Sequence, residues 1–147
     1  MHHLGVPEDD IEVREADEND VPAVARLLGQ LGYAPSEEIL RSDITSGEAG
    51  DVLVASDGRR VVGLLTLKLH RQLHWGAAVA SIEALVVDEG ARSEGVGAKL
   101  VASAVERARS VGAILVEVHS NHARSDARRF YEREGFVVTS NYFVRRL

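Results

Sequence analysis

Arg92, Gly95 and Gly97 stand in VVDEGARSEGVGAKLV (Val86 to Val101), where an apolar run stops and a helical pattern begins. Glycine weakens a helix start, so two of them there need a reason. The first four N–H groups of a helix have no internal partner, and the dipole at that end favours negative charge. A phosphate suits the place if the backbone can approach it, and Gly95 and Gly97 remove the side chains that would obstruct it. Arg92 adds a cationic fork before the turn. ARSEGVGA therefore has the make-up of a diphosphate cradle. The alternative is a turn whose glycines only let a helix lie close to a strand. A dinucleotide site would need G-x-G-x-x-G after the first strand, and a P-loop would need G-K-[ST]. This chain has R-x-x-G-x-G after its fourth strand and Ala98-Lys99-Leu100 beyond it.

Other reactive types are few. The chain has no cysteine, which excludes disulfides, thiolate zinc sites and a thiol nucleophile. His70 and His74 fall at a hairpin end and read as solvated rather than ligating, so no metal is expected. His2 and His3 receive no function, and residues 1–10 are expected to be flexible.

The remaining pattern shows what must position the cradle. IEVREA alternates as a half-buried strand does. A helix follows with Val24, Leu27, Leu28 and Leu31 on one face, and a second opens at Ser36 with Ile39, Leu40 and Ile44 inward. DVLVASDGRRVVGLLTLKL is a hairpin of β-branched runs joined at Asp57-Gly58. AVASIEALVV is a further strand. GVGAKLVASAVERARSVG is a long helix that turns Val96, Leu100, Val101, Ala104, Val105, Ala108 and Val111 inward, and AILVEV is again a strand. SDARRFYEREG is a short helix, and FVVTSNYFVRRL supplies one or two closing strands. The segment from Val79 to Val118 predicts a right-handed parallel crossover. The order is β α α β β β α β α β. It gives one domain over 1–147 at the border of α/β and α+β, with a mixed, mostly antiparallel sheet of six to seven strands and helices on both faces.

R-x-x-G-x-G after LVVD, then a long helix, a strand and ARRFYEREGF, together resemble the GNAT superfamily of N-acetyltransferases. The resemblance covers nearly the whole chain in element order, and its specific part runs from about Ile82 to Phe136. It implies an acyl-CoA N-acyltransferase fold in which the fourth and fifth strands splay apart. Pantetheine would lie between them, pairing with main chain at Leu85 and Val87, and a main-chain N–H around Val86 or Val87 would polarise the thioester carbonyl. The diphosphate would sit on amides from Ser93 through Glu94, Gly95, Val96 and Gly97 to Ala98. Tyr131 falls where the family keeps a tyrosine beside the CoA sulfur. Glu83, on the strand before the splay, takes the place of a general base, with a rim carboxylate as the other reading and Glu117 as its rival. Two departures stand out. Glu94 puts a carboxylate at the helix start, and Arg124 stands where the family's second motif has asparagine, which leaves Asn121 as the expected pantetheine contact.

The implied reaction moves an acetyl group from acetyl-CoA to an amine by direct attack, with no covalent enzyme intermediate, so a chain without cysteine can perform it. The competing class is a non-catalytic acyl-CoA-binding module on the same fold. A net charge of −6 argues against nucleic acid and favours a cationic acceptor, whether a small molecule or a protein amine. With no membrane-length apolar run and no signal-like segment, the expected setting is cytoplasmic, with a second copy of the chain as a further partner.

Overall fold

Local signals place the first elements. Asp17 accepts the Asn19 amide at 2.8 Å and Asp20 accepts the Asp17 amide at 2.8 Å, a reciprocal cap ahead of Pro22. They open a 3-10 turn, Glu18–Asp20, that runs into α1 (Val21–Gln30) after β1 (Glu12–Glu15). Ser36 Oγ accepts the Ile39 amide at 3.1 Å and opens α2 (Glu37–Ser46). The computed structural model describes residues 10–92, 94–119, 125–139 and 143–147. After α2 come β2 (Asp51–Ser56), β3 (Val61–Gln72), β4 (Ala77–Val87), α3 (Val96–Ser110), β5 (Val116–Val118) and α4 (Ser125–Arg133).

β2 and β3 are joined by the full stretch Asp57–Arg60 rather than by a two-residue turn. Asp57 Oδ1 accepts the amides of Arg59 and Arg60, both at 2.9 Å, and this side-chain bonding draws both arginines into the loop.

The strands order as β1-β2-β3-β4-β5, antiparallel up to β4 and parallel between β4 and β5. The sheet is mixed, with helices on both faces. On one face α3 lays Val96, Leu100, Ala104 and Ala108 over Leu53, Leu65, Leu67 and Ile82. On the other, α1 and α2 bring Val21, Val24, Leu27 and Leu40 to Val54, Leu64 and Val86.

The described residues carry five strands, against six to seven expected. The difference lies at the chain end, where 136–139 and 143–147 hold no strand. β5 spans only three residues, a short edge on which to extend a ladder, and Val137 and Val138 are 78 % and 70 % exposed. Two helix faces also differ from the pattern. Ile39 is 57 % exposed because Leu40 and Ile44, four apart, form the inward stripe, and Val111 lies beyond the end of α3 at 53 %. Among the described residues, no helix is long and apolar enough to cross a membrane.

Two buried carboxylates tie this frame together. Arg14 Nη1 and Nη2 donate to Asp20 at 2.7 and 3.0 Å. Those bonds hold the Asp20 carboxyl below its usual range although burial pushes it up. Asp88 is likewise held low, first by the Gln30 hydrogen bond and then by the nearby Arg60 charge, again against burial. The unfolded chain therefore takes up these protons first as pH falls. Their stabilising contribution is complete above the ordinary carboxylate value of about 4 and is lost as pH drops through the lower folded-state values. The urea midpoint is expected to stay level from about pH 7 to 5 and to fall below about pH 4. In Arg14→Gln that acid limb should be shallower.

Candidate functional site

The site begins with one extra residue in β4. Thr66 pairs with Ala84 while Leu67 pairs with Ile82, so Glu83 is the unpaired residue of a β-bulge. The bulge resets the alternation. Ala80 and Ile82 face α3 before it, and Leu85 and Val87 face the same core after it. Counting by twos from Leu85 would put Glu83 on that face too, but at the bulge this rule does not hold. Glu83 is exposed, with no hydrogen bond or ion pair to a described residue.

β5 leaves β4 at the same place. Among the described residues its pairing runs Ala80 with Val116, Ser81 with Glu117 and Ile82 with Val118. From Glu83 to Val87 the β5-facing edge of β4 has no strand partner among the described residues, which is the splay that the resemblance implied. Backbone groups alternate sides along a strand. The Asp88 amide donates to Val62 O of β3 at 2.8 Å, so Leu85 and Val87 turn their main-chain groups to the open edge. Val86 turns its own toward β3, and its side chain is buried beneath α1 and α2.

Beyond Val87 the chain makes a 3-10 turn, Glu89–Ala91, and reaches the start of α3. Arg92 is exposed, and its Nε donates to Val87 O at 3.4 Å. Gly95 has φ +80°, a left-handed conformation that favours glycine, and no side chain caps the helix. The first internal bond visible here is the Lys99 amide to Gly95 O at 3.1 Å, so the amides of Val96, Gly97 and Ala98 precede the helical ladder. Glu94 is half-buried. Ser93 and Asn121 lie outside the described residues.

Gly97 has a second constraint. A Cβ there would stand 3.2 and 3.3 Å from Cζ and Cε1 of Phe130, so α4 packs directly on the first turn of α3. At Gly97, then, the amide precedes the helical ladder, and the missing side chain admits a ring from another helix rather than only the neighbouring strand. Next to Phe130, Tyr131 is half-buried between aromatic edges. Its ring lies 5.2 Å from that of Phe130 and 5.7 Å from that of Phe136, near perpendicular to both. Burial pushes the phenol above its ordinary value, so it keeps its proton at neutral pH.

A polar group not foreseen as a unit lies across β4 and β5. Ser81 Oγ donates to Glu117 Oε2 at 2.8 Å, and His119 Nε2 lies 3.1 Å from the same oxygen. Burial pushes the Glu117 carboxyl up, but the Ser81 and His119 hydrogen bonds outweigh it and hold it low. His70 Nδ1 is buried without a partner among the described residues. His74 belongs instead to the β3–β4 turn, its ring 5.5 Å from exposed Trp75.

Residues 19–136 match the family described as acetyltransferase (GNAT). The chain belongs to the GNAT family. Enzymes of this family use acetyl-CoA as cosubstrate, and this one is an acetyl-CoA-dependent N-acetyltransferase. It is 31 % identical to an aminoalkylphosphonate N-acetyltransferase of Salmonella typhimurium over 141 residues, covering 92 % of this chain and 91 % of that one. It is also 31 % identical to a glucosamine 6-phosphate N-acetyltransferase of Trypanosoma brucei brucei over 134 residues, 86 % and 89 % of the two chains. Among solved structures, a transcriptional regulator from Bacillus halodurans C-125 superposes with a TM-score of 0.84 at 28 % identity, covering 93 % of this acetyltransferase and 99 % of the other chain.

The packing of the acetyltransferase's Gly97 generates a test. Gly97→Ala sets a methyl group 3.2 Å from the Phe130 ring, and an overpacking cost of about 1 kcal/mol then works against the ~1 kcal/mol that alanine gains over glycine in a helix. Thermal unfolding should therefore show Gly97→Ala raising the Tm more in a Phe130→Leu background than in the wild-type protein. An equal change of Tm in the two backgrounds would refute the close approach of α4 to α3.

Proposed function

We propose that this GNAT enzyme, a single acetyltransferase domain over 1–147, binds acetyl-CoA along the open edge of β4 and passes its acetyl group directly to an amine. The observation that carries this reading is the end of β4–β5 pairing at Glu83, beside an uncapped α3 start. Acetyl-CoA fits what these residues offer. Leu85 and Val87 turn main-chain groups to the open edge, suited to the amides of pantetheine, with Arg92 Nε already 3.4 Å from Val87 O. The open amides of Val96, Gly97 and Ala98, with Arg92, Ser93, Glu94 and Gly95 ahead of them in the sequence, suit a diphosphate. Asn121 stays the proposed contact for pantetheine.

In this reading Glu83 takes the proton of the attacking amine, through water or directly, while the amine nitrogen bonds to the acetyl carbon. A main-chain N–H of the open edge, that of Val87, steadies the negative charge that develops on the carbonyl oxygen. The carbon–sulfur bond breaks, and Tyr131 gives its proton to the departing thiolate. Burial supports that role by keeping the phenol protonated until a stronger base appears beside it. Glu117 is a second candidate for the amine's proton through His119, favoured by the hydrogen bond it already makes. Its low-lying carboxyl suits holding a cationic partner better than accepting a proton itself.

For the acceptor, the names of the two relatives specify amines that carry a phosphonate or a phosphate. They support a small amine bearing a phosphorus oxyanion as the acceptor here, in preference to the polycation suggested by net charge alone. Exposed Val137, Val138, Phe143 and Val144 support a homodimer.

Thiol release from acetyl-CoA, measured with aminoalkylphosphonates, glucosamine 6-phosphate, polyamines, an aminoglycoside and peptide amines, tests the reading. Turnover should be highest with one of the first two groups, and no turnover with any amine would overturn it. Tyr131→Phe should lower the rate by about 10²- to 10⁴-fold with acetyl-CoA affinity and Tm nearly unchanged. A wild-type rate in the first turnover would remove Tyr131 as the acid. Glu83→Gln and Glu117→Gln separate the two bases: the variant that loses the acid limb of the kcat/KM pH profile, where protonation of the base shuts the reaction down, identifies the proton acceptor.

A further inference from the structure

Asp88 is a carboxylate only 6 % exposed, and acyl transfer as described gives it nothing to do. A buried carboxylate is costly unless its oxygens find donors. Here two separate elements supply them. Gln30, the last residue of α1, gives Nε2 to Oδ1 at 2.7 Å. Arg60, from the β2–β3 loop, gives Nη2 to Oδ2 at 2.6 Å. The backbone of Asp88 adds two more ties: its amide donates to Val62 O at 2.8 Å, and its carbonyl accepts the Ala91 amide at 2.9 Å. Gln30 reaches one residue further, where its Oε1 accepts the Glu89 amide at 3.2 Å. Both ends of one amide side chain are thus spent on consecutive residues of the same turn.

These bonds govern residues 88–91, which join the open edge of β4 to Arg92 and the start of α3. Two parts of the proposed acetyl-CoA site, the main-chain edge for pantetheine and the helix amides for the diphosphate, can serve one ligand only if this link has a fixed length and direction. We propose that Gln30, Asp88 and Arg60 form a positioning node that sets the diphosphate-binding end of the site in line with the β4 edge. The inference rests on the acetyl-CoA reading above. Because Gln30 is followed directly by the α1–α2 connection, the node also ties that connection to the turn before α3.

A node that merely holds the fold together would affect every ligand alike, whereas a positioning node affects the ligand that spans both halves. Gln30→Met keeps the length of the side chain and removes both of its bonds to the turn. CoA titrated calorimetrically into the full-length variant should bind about tenfold more weakly than to wild type, the loss expected for about two hydrogen bonds. Pantetheine, which lacks the diphosphate, should bind both proteins equally in a ligand-observed NMR titration. Arg60→Gln removes the charged half of the clamp from an exposed position. It should weaken CoA in the same direction by about threefold, and it keeps the test available should Gln30→Met fold poorly. Equal loss for CoA and pantetheine, or unchanged CoA affinity in both folded variants, would overturn the node. Absence of CoA binding to the wild-type protein is a different result: it would refute the acetyl-CoA reading, and the node with it.

Discussion

Every main-chain group in β4 needs a hydrogen-bonding partner, and among the described residues β5 pairs with only three of its residues. The rest of the structure can be understood from that shortfall. A parallel neighbour must return through a crossover, so α3 begins just beyond the strand whose edge is left open. The helix brings its own unpaired amides to the same end of the sheet. Two sets of unsatisfied backbone donors are therefore placed side by side by topology, before any side chain is considered.

Side chains then decide how that place is held. On the α3 face the glycine at 97 admits Phe130, which brings α4 and its neighbouring tyrosine to the first turn of the long helix. On the opposite face Gln30 and Arg60 reach the buried Asp88. The site is thus braced from both sides of the sheet, by an apolar contact on one and a charge-assisted network on the other. Between them the edge of β4 beyond Glu83 has no strand partner among the described residues, while the surrounding core is buried.

Much of this was legible in the amino-acid order, and the limits have physical reasons. The 3.6-residue stripe through Val96, Leu100, Ala104 and Ala108 announced α3, and R-x-x-G-x-G with F-Y-E-R-E-G-F marked the family. The opening signal at Ser36 fell where α2 starts. Contacts set by register were out of reach. Ser81 meets Glu117 only because two strands distant in sequence lie in parallel alignment, and Gln30 finds Asp88 across 58 positions of sequence. Ile39 and Val111 were misplaced by hydrophobicity alone, which ranks a residue without fixing its angle on the helix or the end of the last turn. The strand-like closing segment differs too: its described residues form no ladder, since β propensity alone builds none where the neighbouring edge is so short.

The bulge has one more consequence, which concerns the grammar of the strand rather than its chemistry. On the β3 side, partner numbers sum to one constant from Gly63 through Thr66 and to a constant one lower from Leu67 onward. Striking out residue 83 would make the two constants equal. Ala80, Ile82, Leu85 and Val87 would keep the face they now occupy, and Ser81, Ala84 and Val86 would keep theirs. The apolar pattern of β4 is therefore already that of an uninterrupted strand, into which a single glutamate has been spliced. Core packing neither requires that residue nor constrains its identity, so the position is open to change at little cost to the fold. Any demand on what stands there comes from outside the core.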